Sequence, residues 1–83
     1  MTEENNSINI TVKFFATFQK YGPKKAQIEV PKGTNVEAIL KKYKIPYKDK
    51  NLIIIINGRP HQKLYTEINE NDIVAIFPPL AGG

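Results

Sequence analysis

The residues at the end of the chain, Phe77-Pro78-Pro79-Leu80-Ala81-Gly82-Gly83, are the ones whose types and spacing suggest chemistry. With glycine near 7% of average usage, a closing Gly-Gly arises by chance in roughly one chain in 200. Two residues without side chains let a terminal carboxylate thread a narrow channel and reach buried chemistry, with Leu80 as an apolar anchor on the way. A carboxylate is inert to nucleophiles until one of its oxygens becomes a leaving group. Attack on the α-phosphate of ATP achieves this by forming an acyl-adenylate on Gly83. A thiol or persulfide on a partner then displaces AMP, leaving a thioester or, after sulfur transfer, a thiocarboxylate. ATP is used by the activating partner, and no cofactor is expected to bind this chain stably. The sequence contains no Cys, so the chain cannot supply the sulfur itself.

The other chemistry-bearing residues form no comparable constellation. His61 is the single His, next to Pro60, with no acid or nucleophile at a defined spacing, and reads as a solvated loop residue. Without Cys or a His pair there is nothing to begin a metal site, a disulfide or a thiol nucleophile. No Gly-rich phosphate loop follows a strand. Asp72 comes directly after Asn71, where a turn-closing side chain is expected. Twelve Lys plus Arg against eight Asp plus Glu give a net charge of +4. Of those cations only Arg59 offers the guanidinium fork that phosphate and base recognition favours, so the Lys residues read as a solvated surface and not as a nucleic-acid interface. No apolar run approaches the roughly 18 residues needed to span a bilayer, and residues 1–7 are unlike a signal peptide. A cytoplasmic protein without membrane or nucleic-acid partners is expected.

Eighty-three residues, 41% of them hydrophobic, allow one small domain with a single core. Residues 1–7 read as a disordered leader, 8–77 as the domain and 78–83 as a flexible, reactive tail. Ile8, Ile10, Val12 and Phe14 alternate with Asn9, Thr11, Lys13 and Phe15, the period of a strand with one buried face. Gly22-Pro23-Lys24-Lys25 turns the chain into a second short strand, 26–30, with Ile28 and Val30 inward. Thr34 and Glu37 have capping-box spacing, and Val36, Ile39, Leu40 and Tyr43 fall on one helical stripe that Pro46 ends. The all-apolar run 52–56 predicts a strand covered on both sides. Asn57-Gly58 is a hairpin signal returning into a short edge strand, 59–63. The connector 64–68 is expected to tuck Leu64 and Ile68 beneath the sheet, 69–72 to turn, and 73–77 to form the last strand, stopped by Pro78-Pro79.

This order, with the first and last strands central, predicts an α+β fold: a β-grasp (ubiquitin-like) mixed sheet with one packed helix and a flexible Gly-Gly tail. A ferredoxin-like fold would need a second helix, and residues 59–72 carry no helical stripe. Strand parity turns Phe15 away from the core on the first strand, and Ile73, Ala75 and Phe77 on the last. If the two strands are neighbours, Phe15 and Phe77 make an aromatic patch at the tail root: an interface core, or a face covered by a loop.

Val12-Lys13-Phe14-Phe15-Ala16 together with 71–83, from Asn71-Asp72 to Gly82-Gly83, resembles the MoaD/ThiS-type ubiquitin-like sulfur carriers, and within them the molybdopterin synthase small subunits. The resemblance implies activation by a ubiquitin-activating-type adenylyltransferase and a sulfurtransferase that supplies persulfide sulfur. It also implies insertion of the tail into the large subunit of molybdopterin synthase. Sulfur would there build the dithiolene that holds molybdenum or tungsten, with Phe15, Phe77, Pro78, Pro79, Leu80 and Ala81 at the partner interface. Carriage of sulfur for thiamine or tRNA thiolation, and protein modification through an isopeptide bond from Gly83, are the alternatives.

Overall fold

Alternation along the first strand decides which face of the sheet becomes the core. The computed structural model, which describes residues 6–48 and 50–79, contains β1 (Ser7–Phe14), β2 (Lys25–Pro31), α1 (Val36–Lys42), β3 (Ile53–Ile56) and β4 (Ile73–Phe77). A 3-10 turn, Ala16–Lys20, follows β1. Ile8, Ile10, Val12 and Phe14 are all buried, at 6% exposure or less, as their period required. The sheet order is β2-β1-β4-β3. β1 and β4 pair in parallel at the centre, and the two outer pairs are antiparallel. This is the β-grasp arrangement, and Val36, Ile39 and Leu40 of α1 join the same buried cluster as Val74 and Ile76 of β4. Among the described residues no helix is long and apolar enough to cross a membrane.

The helix ends differ from the expected ones. Thr34 is not the cap: its hydroxyl donates to the Pro31 carbonyl, while Asn35 Oδ1 accepts from the Ala38 N–H at 2.9 Å. The first-turn donors of Val36 and Glu37 go to the Thr66 and Leu64 carbonyls, so the connector 64–68 completes the N-terminus of the helix. Pro46 does not end it either. Lys44, at φ 58°, ends α1 earlier; its N–H donates to Lys41 O and that of Ile45 to Leu40 O. That is a Schellman pattern, and both Leu40 and Ile45 lie in the core.

Two strand expectations also need correction. The run 52–56 is not covered on both sides: β3 is an edge strand with Ile54 and Ile56 buried and Ile53 and Ile55 half-buried. An all-apolar run hides which face is inward. Residues 59–63 fold back but make no strand, holding β3 by the Ile56–Arg59 bridge and a bond from Gln62 N–H to Ile54 O at 3.1 Å. The Asn57-Gly58 turn has φ 52° and 81°, as a type I′ turn demands. In the connector Ile68 is buried, but Leu64 is 41% exposed. β1 begins at Ser7, the last residue of the expected leader. Residues 1–5 of that leader and residues 80–83 of the expected tail lie outside the described residues.

Candidate functional site

β4 is a central strand, and it ends at Phe77, next to Pro78 and Pro79. Its parallel ladder with β1 pairs Phe14 with Ile76, and the Phe15 N–H donates to Ile76 O at 3.3 Å. Phe15 therefore continues β1 alongside Phe77. The two rings stack with centroids 4.2 Å apart and planes 12° from parallel, an offset-compatible contact on the sheet face opposite the helix. Both rings are half-buried, as is Pro78, while Pro79 is exposed. Ala16, at φ 55°, then breaks the strand direction and starts the 3-10 turn that buries Phe18. Phe15 is thereby held between a strand end and a turn, with little freedom to leave Phe77.

The same face carries residues that reading the sequence missed. Ile53 pairs with Phe77 and Ile55 with Ala75, which places two further isoleucines beside the aromatic pair. Ile73, which strand parity already puts on this face of β4, is 42% exposed. An all-apolar run carries no sidedness of its own, and the pairing with β4 is what puts Ile53 and Ile55 on this face. Leu80, Ala81, Gly82 and Gly83, the expected anchor and reacting group, lie outside the described residues.

The polar residues elsewhere serve the frame. Asp72 is buried and accepts from Asn57 Nδ2 and from the Asn69 N–H, each at 2.7 Å, which closes the turn before β4. His61 is exposed, at φ 65°. Tyr47 donates its hydroxyl to Glu37, and that bond, with desolvation and the nearby carboxylate charge, raises the phenol above its ordinary value. Burial raises Tyr43 in the same direction. Among the described residues no group of three His, Cys, Asp or Glu is placed to hold a metal ion. What this region offers is an apolar, partly exposed platform at the point where the closing segment leaves the sheet.

The sequence profile of the ThiS family matches residues 12–83. Among solved structures, a putative molybdopterin converting factor subunit 1 from Pyrococcus furiosus is 26% identical, with a TM-score of 0.70 over 88% of this chain and 99% of that one. SAMP1 from Haloferax volcanii is 18% identical, with a TM-score of 0.68 over 90% of this chain and 99% of that one. Subunit 1 or 2 in the protein–protein complex of the Helicobacter pylori molybdopterin-converting factor shares 19% identity, with a TM-score of 0.59 over 92% of this chain and 100% of that one. No curated protein sequence matches the chain.

Proposed function

The chain belongs to the ThiS family, and from that premise we propose that it is a sulfur carrier whose Gly83 carboxylate is adenylated and converted to a thiocarboxylate. The observation that carries this reading is the join between body and tail. A central strand, β4, runs into Pro78-Pro79 and the Gly82-Gly83 pair, with the Phe15–Phe77 stack at the join. A rigid root and residues without side chains suit insertion of a carboxylate into a partner's active site.

A carboxylate oxygen of Gly83 attacks the α-phosphate of ATP in the adenylyltransferase, and pyrophosphate leaves. The terminal sulfur of a persulfide, supplied by a sulfurtransferase, then attacks the acyl carbon and AMP leaves. A second thiol cleaves the resulting acyl disulfide, releasing the thiocarboxylate and forming a disulfide on the donor side. The similarity to a converting factor subunit favours molybdopterin as the destination, with this chain as the small subunit beside a large one. In that pairing the carrier gives its sulfur to the pterin dithiolene and returns as a carboxylate. Phe15, Phe77, Pro78 and Pro79 meet the partner's surface, and Leu80 and Ala81 lie in its channel. The likeness to SAMP1 carries the fold and no more at its level of identity. A cytoplasmic setting, where ATP and persulfide donors are available, fits these steps.

The test is the intact mass of the protein after incubation with an activating enzyme, ATP and a persulfide donor. The expected result is one sulfur-for-oxygen exchange that maps to Gly83, and dithiolene formation when a large subunit and precursor pterin are added. An unchanged mass overturns the carrier reading. A carrier that is sulfurated but leaves the pterin untouched overturns only the molybdopterin assignment, and an isopeptide conjugate to a Lys side chain would make the chain a modifier.

A further inference from the structure

A cleft of about 770 Å³ opens along the outer side of β3, between that strand and the return segment 61–64. Its floor is apolar: Leu40 and Ile54 are buried, Tyr47 and Leu52 half-buried, and Leu64 41% exposed. Its rim is cationic, with Lys50 and Lys63 exposed beside His61, and no Asp or Glu is among the described residues that line it. Pro79 also lines it, so the cleft adjoins the tail root without including the Phe15–Phe77 stack.

The walls are built. Gln62 donates its N–H to Ile54 O and its side-chain amide to Arg59 O, while the Lys63 N–H donates to Thr66 Oγ1 at 3.0 Å. Tyr47 is held by its bond to Glu37. His61 sits at φ 65°, a left-handed conformation that a non-Gly residue adopts at a cost and that recurs at binding sites. Because Ile54 turns its carbonyl away from β4 to reach Gln62, the N–H of Ile54 points to the same outer side. No backbone acceptor meets it among the described residues.

We propose that this cleft docks an extended acidic segment of a partner protein. The segment runs beside Leu52, accepts the Ile54 N–H with one main-chain carbonyl, seats one apolar side chain against Leu52, Leu64 and Tyr47, and sets its carboxylates against Lys50 and Lys63. The Ile54 N–H supplies the main-chain bond, the floor selects an apolar side chain, and the rim selects charge. A basic segment would meet like charge at the rim, and a wholly apolar one would leave Lys50 and Lys63 without counter-charges. The proposal does not depend on what Gly83 does.

The test is a titration of the 15N-labelled full chain with a short synthetic peptide, Glu-Asp-Ser-Leu-Thr-Val-Asp-Glu, followed by amide chemical shifts. The expected shifts centre on Leu52, Ile54, Gln62 and Lys63, and the Ile54 amide becomes protected from exchange. The double substitution Lys50→Glu, Lys63→Glu should weaken binding about tenfold or more, from the sign change of two rim charges. The variant's own spectrum reports whether its fold is intact, and Lys50→Gln, Lys63→Gln, which only removes charge, should fall between it and the unaltered chain. Absence of binding, shifts centred on Phe15 and Phe77, or equal binding of a peptide with Lys at every acidic position would each overturn the proposal. Two results would give the cleft to another occupant: shifts at these amides on dilution of the chain alone, meaning a second copy, or on deletion of residues 80–83, meaning its own tail.

Discussion

Asn57 combines a backbone role with a side-chain role that its neighbour Gly58 cannot share. Its φ of 52° makes the type I′ turn, its N–H donates to Ile73 O, and its Oδ1 accepts from the Ile73 N–H at 2.9 Å. Its Nδ2 donates to Asp72. One amide therefore ties the β3 turn to the start of β4, the strand that leads to the tail. Asn57→Gly keeps the turn and loses both side-chain bonds, so its expected cost is about 1 to 3 kcal/mol in urea unfolding. Asn57→Ala should cost more, because it adds strain at positive φ; equal midpoints for the two variants would show that this strain is absent, and an Asn57→Gly midpoint equal to that of the unaltered chain would show that the side chain contributes nothing. The Phe15–Phe77 pair is the residue-scale counterpart at the other end of β4. Both rings retain exposed surface, so Phe15→Ala should lower stability by only about 1 kcal/mol while weakening binding to the activating enzyme by about 1 to 3 kcal/mol. Melting and calorimetric titration separate the two, and a collapsed fold with unchanged intrinsic affinity would place Phe15 in the core.

At the scale of elements, what the sequence disclosed depended on whether its pattern was one-sided. β1 alternates apolar with mostly polar residues, so its inward face could be read directly, and the same parity applied to β4 put Phe15 and Phe77 on one side. The run 52–56 is apolar at every position, so neither its edge position nor the outward Ile53 and Ile55 could be read from it. Thr34 and Asn35 both suit an N-cap, and the choice fell to Asn35 because the Thr34 hydroxyl turns back to Pro31. The cleft beside β3 was not legible at all, since it joins the end of α1, the loop after it and the return segment. The link between α1 and that loop has a consequence for pH. Tyr47, bonded to Glu37, and Tyr43, half-buried with its ring against Phe14, both hold their protons more tightly when folded than the unfolded phenol does. A raised folded value means that the native state binds the proton better. The contribution is fully present below the unfolded value of about 10 and is lost as pH rises through the folded values. Urea midpoints should therefore fall above pH ~10, and the double variant Tyr43→Phe, Tyr47→Phe should fall less steeply over that range. Parallel curves for variant and unaltered chain would remove the tyrosines from the alkaline transition.

For the molecule as a whole, the strand order separates the parts that hold the fold from the part proposed to react. β1 and β4 lie side by side at the centre, so the strand leading to the Gly-Gly pair is secured on both edges by its neighbours. Among the described residues the buried cluster reaches no further along the chain than Ile76, and by sequence residues 80–83 comprise one Leu, one Ala and two Gly. Stability and activation should therefore be separable. Deleting Gly83 is expected to leave the urea midpoint and the amide spectrum of the body unchanged and to abolish ATP–pyrophosphate exchange by the activating enzyme, because the carboxylate is then displaced by one residue from the α-phosphate. Gly82→Leu keeps the carboxylate in register but adds a side chain where the channel has to be narrow. Its exchange rate should drop by about 100-fold or more, as misplacement of a reacting group by an ångström can cost, while the Phe15–Phe77 platform keeps its affinity for the enzyme. That pairing of lost rate with retained binding distinguishes obstruction of the channel from damage to the docking face. Normal exchange by Gly82→Leu would show that the tail is not threaded, and an adenylate on the shortened chain would show that Gly83 is not the residue activated.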